Sequence, residues 1–244
     1  MHLKIPNLSE FVSSFLAPLS KVNNTCVIKI GEAGYSSLLS SADGALILFC
    51  LYKQKQDING TLNIPDLGRL IKILSCINSD KPVEINFNEN NISYKSDDIR
   101  FKYHLLEDGI ILAPPINIDK IKEIDYNTTI EITHDSFLNL LKSSTFAVDT
   151  DKLYFFTKDG HVYGELTDQQ KHNSDSVTRK LAEQYQGDPI TESIPISFDV
   201  MRTIANNRAE KIKVLVNTTL SILTFEVNIG TAKNVYVVTG FAKT

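Results

Sequence analysis

Apolar residues fall at spacings of three and four in four short windows of the chain, and at every second position between those windows. The first spacing lines one face of a helix and the second lines one face of a strand. In the first window Leu8, Phe11, Val12, Phe15, Leu16 and Leu19 form one stripe wide enough to lie on a sheet, and Pro18 and Ser20 help to end it. The second follows Ile64 and Pro65, has Asp66 near its N-terminus, and puts Leu67, Leu70, Ile71, Leu74 and Ile77 on one side. The third follows a strand over 129–132, opens at Asp135 or Ser136, and buries Phe137, Leu140 and Leu141. The fourth follows a strand over 194–197 and buries Phe198, Met201, Ile204 and Ala205.

Between the helices the period is two, as in Val83, Ile85 and Phe87, in Ile99, Phe101, Tyr103 and Leu105, and in Ile212, Val214 and Val216. These are half-buried antiparallel strands. Turn chemistry joins them at Asp43-Gly44, Asn90-Asn91, Asp159-Gly160 and Asn217-Thr218, and Asp159-Gly160 is a strong hairpin signal. One plan therefore occurs four times: a short strand, a helix of about three turns, then further strands. Two repeats fall on each side of a stretch with Pro114-Pro115 and no clear period. The expected organisation is an N-terminal α+β domain over 1–107, a connector over 108–127 and a C-terminal α+β domain over 128–244. In 170–188, Val177, Leu181 and Tyr185 have helical spacing while 176–181 reads equally as an edge strand, and the repeat favours the strand.

Composition narrows the function more by exclusion than by sign. No apolar run nears the length of about 20 residues that a membrane helix needs. The first six residues lack the basic and then apolar design of a signal peptide, so the expected location is the cytoplasm. Cys26, Cys50 and Cys76 are odd in number, far apart and set in apolar runs, which suits reduced core thiols. There is no Gly-rich phosphate loop, nucleophile elbow, His-Glu-X-X-His or paired-cysteine site, so neither an enzyme nor a cofactor is expected. His104 falls in a strand and His134 beside a helix start, where structural roles are commoner. Asp149 and Asp151 read as a solvated turn. A net charge of −4 argues against a protein coated in cations for nucleic acid, so any DNA contact must be local.

Four stretches, in this order and spacing, resemble the DNA sliding clamps, and most closely those of T-even-type tailed phages. They are LGRLIKILSCINSDK (67–81), FFTKDGHVYGELTD (155–168), DSVTRK (175–180) and NVYVVTG (234–240). The resemblance spans nearly the whole chain. It implies two similar domains per subunit, each with two helices on antiparallel sheets, and a homotrimer closing into a six-domain ring around double-stranded DNA. It further implies that the ring tethers the replicative DNA polymerase and is opened by an ATP-driven clamp loader. If phage-encoded, it would act in the host cytoplasm and aid late transcription. Departures are the short, proline-bearing connector, the long polar segment 171–188 and a first helix poor in cations.

A clamp needs cations on the helix faces that line its hole, to oppose phosphates without reading bases. Arg69 and Lys72 lie opposite the apolar stripe of the second helix, and Lys142, with Asn139 beside it, opposite that of the third. Arg202 flanks the fourth stripe, with Arg208 and Lys211 beyond its end. The first helix fits poorly: it turns Ser13, Ser14 and Ala17 outward, ends at Lys21 and carries Glu10. Taken singly, each cation also reads as part of a solvated face. Sign favours the DNA reading, because the outward middle faces of helices two and three hold cations and no carboxylate in an acidic chain. By resemblance, the strand over 99–105 meets the strand over 176–180 of the next subunit, with Phe101, Tyr103, Val177 and Arg179 at the joint. The alternative places these residues in an ordinary core. Partner peptides would dock at Ile110, Ile111, Leu112 and Pro114 with Phe241, unless that stretch merely pins the connector. A structural virion or tail protein built from duplicated α+β domains is the rival function.

Overall fold

The computed structural model describes residues 2–77, 81–114, 116–147, 150–171, 173–207 and 209–241. They form two compact units: Met1–Ile118 with Asn228–Asn234, and Asp119–Val227 with Val235–Thr244. The first unit holds strands β1 (His2–Ile5), β2 (Cys26–Gly31), β3 (Gly34–Ser40), β4 (Leu46–Tyr52), β5 (Gly60–Ile64), β6 (Val83–Asn88), β7 (Asn91–Lys95) and β8 (Arg100–His104). Its helix α1 is built of three pieces, Leu8–Glu10, Phe11–Leu16 and Ala17–Val22, and α2 spans Leu67–Leu74. A short helix α3 (Ile118–Lys122) begins where the units part. The second unit holds β9 (Thr128–Thr133), α4 (His134–Lys142), β10 (Lys152–Lys158), β11 (His161–Leu166), β12 (Val177–Ala182), β13 (Tyr185–Gly187), β14 (Ile194–Ser197), α5 (Phe198–Ala205) and β15 (Lys211–Asn217), and most of β16 (Ile222–Ile229) and β17 (Ala232–Thr239).

The fourfold plan is present, although α2, α4 and α5 have eight or nine residues and so fall short of three turns, and pairing shows how the repeats interlock. The strand that enters each helix joins the sheet that follows the other helix of the same unit. Thus β1, before α1, pairs with β6, after α2, and β5, before α2, pairs with β2, after α1. In the second unit β9 pairs with β15, and β14 pairs with β10. All four pairings are antiparallel. Such an exchange ties two local motifs into one core, because neither sheet is complete without a strand from the other motif.

The stripes face inward as their spacing predicts, although Val12, Ile71 and Leu141 are only half-buried. Leu67, Leu70 and Leu74 of α2, Phe137 and Leu140 of α4, and Phe198, Met201, Ile204 and Ala205 of α5 are all buried. In the first unit Phe11 meets Tyr35 and Tyr52 edge-on, with ring centroids 5.0 and 5.2 Å apart. In the second, Phe225 receives the edges of Phe137 and Phe155 at 6.4 and 6.2 Å. The hairpin between β10 and β11 turns at Asp159 (φ 52°) and Gly160 (φ 81°), the two left-handed residues that a type I′ turn needs. Within the segment 170–188, Val177–Ala182 and Tyr185–Gly187 form β12 and β13.

Three expectations fail, each for a physical reason. Pro18 does not end the first helix, which runs on to Val22. Its middle, Phe11–Leu16, is a π-helical stretch, and the carbonyl of Ser14, left without the N–H that proline lacks, accepts from Asn234 Nδ2 at 3.1 Å. The wider turn also rotates the following side chains, so Ser14 is buried rather than outward, with its Oγ donating to Glu10 O at 2.6 Å. Cys26 and Cys50 are core thiols, but Cys76 is exposed, because α2 ends at Leu74 and the chain turns to bury Ile77 instead.

Candidate functional site

Three features of the units offer surfaces for binding: helix faces bearing cations, two open sheet edges and an apolar groove. Asp66 starts α2 by accepting from Arg69 N at 2.8 Å. Asn24 satisfies the next orphan donors, its Oδ1 accepting from Gly68 N at 2.9 Å and its carbonyl from Leu67 N at 2.7 Å. The Arg69 N–H first, then the Asn24 amide and the nearby Arg69 and Lys72 charges, hold the Asp66 carboxyl below its ordinary value. Arg69 and Lys72 are exposed on the face opposite Leu67, Leu70 and Leu74, and neither makes an ion pair among the described residues.

Lys142 and Asn139 are exposed on α4, again with no ion pair at Lys142 among the described residues. The helix starts one to two residues earlier than predicted, at His134, capped by Thr133 Oγ1 accepting from Ser136 N at 3.2 Å. Asp135 is therefore inside it and exposed, nearly two turns before Lys142. Lys21 is exposed in the last turn of α1. The other cations are engaged: Arg202 pairs with Asp199 at 2.7 Å and lies over the Phe198 ring, and Lys211 pairs with Glu131 at 2.6 Å. Arg208 lies outside the described residues, as does Asp149 of the acidic turn. Glu10, the acid on α1, has a structural task. Its Oε1 accepts from Thr231 N at 2.7 Å, and a Cβ at Gly230 (φ 53°) would collide with its carboxylate.

Each unit has a four-stranded sheet with a free edge. The sheet β1-β6-β7-β8 ends at β1 and β8, and β12-β11-β10-β14 ends at β12 and β14. The Gln56 side chain occupies backbone groups of Lys4 on β1 and the Phe241 N–H that of Pro195 on β14, which leaves β8 and β12 as the open edges. Phe101 on β8 is half-buried beside Tyr94, with ring centroids 5.9 Å apart. Tyr103 points into its own unit and is buried, its hydroxyl donating to Asp66 O at 2.7 Å and accepting from Asp66 N at 3.0 Å. Val177 is half-buried at the start of β12, and Arg179 Nε donates to Ser143 Oγ at 2.9 Å, at the C-terminus of α4. One turn beyond, Phe146 is 69% exposed. The sequence reading missed it, although an aromatic residue off the Phe137/Leu140 stripe is a legible signal.

The groove lies in the first unit and has a volume of about 780 Å³. Ile110, Ile111, Leu112 and Pro114 form one wall, facing the outer surface of β2 and β3. Ile110 is 58% and Leu112 87% exposed, an unusual cost for two aliphatic side chains on one strap. The strap is held at its entry, where Asn63 Nδ2 donates to Asp108 Oδ1 at 2.6 Å and Leu106 N to Asn63 O at 2.9 Å. Among the described residues Lys29 is the one charged side chain lining the groove, and its place on an alternating strand was a signal the sequence reading did not use. Phe241 is not among the lining residues. It belongs to the second unit, where its N–H donates to Pro195 O at 2.9 Å and Lys152 lies over its ring. Among the described residues no helix is long and apolar enough to cross a membrane, and no cluster of three or more His, Cys, Asp or Glu could hold a metal.

Neither a protein-family model nor a curated protein sequence matches the chain. Solved structures do. The proliferating cellular nuclear antigen (PCNA) of Entamoeba histolytica superposes with a TM-score of 0.77 at 16% identity, over 99% of this chain and 98% of that one. The PCNA of A. fulgidus, with the C-terminal region of FEN-1 bound, gives 0.77 at 14%, over 100% and 99%. The PCNA2–PCNA3 complex of Sulfolobus tokodaii gives 0.74 at 10%, over all of both chains. At such identities the likeness is one of fold. The chain has the α+β fold of the sliding clamps, with helices packed on antiparallel sheets.

Proposed function

We propose that this chain is one subunit of a DNA sliding clamp, a scaffold rather than a catalyst, which closes as a homotrimer around double-stranded DNA and tethers a DNA polymerase. The observation that carries the reading is the clamp fold over essentially the whole chain. The cations of α2 and α4 support it, since Arg69, Lys72 and Lys142 make no ion pair among the described residues and are available to phosphates without reading sequence. In this reading the open edges β8 and β12 pair between subunits, with Phe101 and Val177 at the joint, and a clamp loader opens that joint. The groove takes a short, partly hydrophobic partner segment against Ile110, Ile111, Leu112 and Pro114, much as the A. fulgidus clamp holds the C-terminal region of another protein. The finer reading, a T-even-type phage clamp that also serves late transcription in the host cytoplasm, rests on the four sequence stretches quoted above.

The test is the solution mass of the purified chain by light scattering. Three times the 27.3 kDa chain mass is expected. A concentration-independent monomer sinks the ring, and an open-ended polymer returns the virion-protein reading. Ile110→Asp with Leu112→Asp should leave that mass unchanged while lowering the affinity for polymerase by at least about tenfold, because two apolar anchors are lost.

A further inference from the structure

We propose that Tyr103 and Arg179 are positioning residues, through which pairing of the two free edge strands sets the cation-bearing helices α2 and α4. The inference rests on the clamp reading and goes beyond it, since nothing in that reading requires the joint and the DNA face to be coupled. In each unit the same arrangement occurs independently. A side chain on the free edge strand reaches back to one terminus of the helix that carries the unpaired cations. On β8, Tyr103 both donates to and accepts from the backbone of Asp66, the N-cap of α2. On β12, Arg179 Nε bonds Ser143 Oγ, which donates in turn to Asn139 O at 2.9 Å in the last turn of α4.

The chain of contacts is short enough to transmit a displacement. Tyr103 is 4% exposed, so its ring cannot turn away without moving the strand. Asp66 carries the N–H of Arg69, and Asn24, bonded to the Asp66 carboxylate at 3.1 Å, carries those of Leu67 and Gly68. The first turn of α2, with Arg69 in it, is thus hung on a residue that Tyr103 grips by its backbone. Ser143 in the second unit follows Lys142 directly and is buried. An edge strand hydrogen-bonded on one side only opens locally more readily than one paired on both sides. Pairing the edge therefore steadies Tyr103, and Tyr103 steadies α2. An opened joint loosens the lining that faces DNA, and a closed one firms it.

The experiment is backbone amide exchange at Leu67–Leu70 in assembled and dissociated protein, with light scattering fixing the state of each sample. Dissociation is by dilution. Where the ring survives dilution, Val177→Pro with Thr178→Pro dismantles the β12 edge and leaves the reporter unit untouched. The expected result is exchange slower on the order of fivefold in the assembled state, the ratio that a hydrogen bond of ordinary net strength commands, with the difference abolished in Tyr103→Phe. A purely structural tyrosine would speed exchange equally in both states. Equal exchange in assembled and dissociated wild-type protein, or a difference that survives in Tyr103→Phe, overturns the coupling while the ring stands. Absence of any trimer overturns the clamp reading and the coupling with it.

Discussion

Helix α2 of the first unit and helix α5 of the second are products of the same plan, each eight residues long, entered from a strand and amphipathic. They differ in what surrounds their cations. Arg69 and Lys72 make no ion pair among the described residues, and the nearby Asp66 carboxylate caps Arg69 N. Arg202 is bound by Asp199 at 2.7 Å and covers the Phe198 ring, so its charge is largely answered at home. The lesson is that a cation on a helix serves a phosphate only where the nearest acid has other work. Helix α1 makes the converse point. Its acid, Glu10, is drawn off by Thr231, which removes a carboxylate from contention without adding a cation.

That contrast can be broken first by charge reversal. Lys72→Glu with Lys142→Glu should weaken retention on DNA at moderate salt by roughly tenfold or more and flatten the salt dependence, since each free cation answers about one phosphate. Arg202→Glu, made where the charge is already paired, should change retention by about twofold or less, scored in the same loading assay. Equal losses from the two would erase the distinction between the helices. Next in size is capping. Thr133→Ala at the start of α4 should cost about 1 kcal/mol in denaturant unfolding. Ser197→Ala, at the start of α5 where the side chain makes no cap bond, should cost a few tenths.

The smallest effect is acid sensitivity. The Asp66 carboxyl is held below its ordinary 3.8 by the Arg69 N–H first and by the Asn24 amide next. A lowered folded value means that its contribution is fully present above that ordinary value and is lost as pH falls through the lowered one. Amides at the start of α2 should therefore lose protection in that acid window, and Asp66→Asn should shift the loss away. Helix α5, with no side-chain cap bond to titrate, should show no matching step.

Around Val177 the local spacing fitted helix and strand equally, and only the repeated plan favoured the strand; the four helices, the strands that enter them and the hairpin at Asp159-Gly160 were legible in the sequence. All depend on neighbours a few residues apart: the 3.6 and 2.0 periods, a capping oxygen or a turn glycine. Outward placement of Arg69, Lys72 and Lys142 followed from the same periodicity. Pro18 was misread because its cost in a helix is ordinarily local, whereas here Asn234, more than two hundred residues away, satisfies the carbonyl it frees.

What the sequence by itself determined was thus the inventory of elements and which side of each is apolar. Tertiary structure alone decided the exchange of strands between paired motifs and the ties from Tyr103 to Asp66 and from Arg179 to Ser143. It also set Phe241 against Pro195 and Lys152 instead of in the groove of the first unit. The physical reason is range. Periodicity reports the average direction of a side chain relative to its own backbone, while a hydrogen bond or ion pair depends on where a second chain segment arrives to within a fraction of an ångström, and that is fixed by the packing of the whole core.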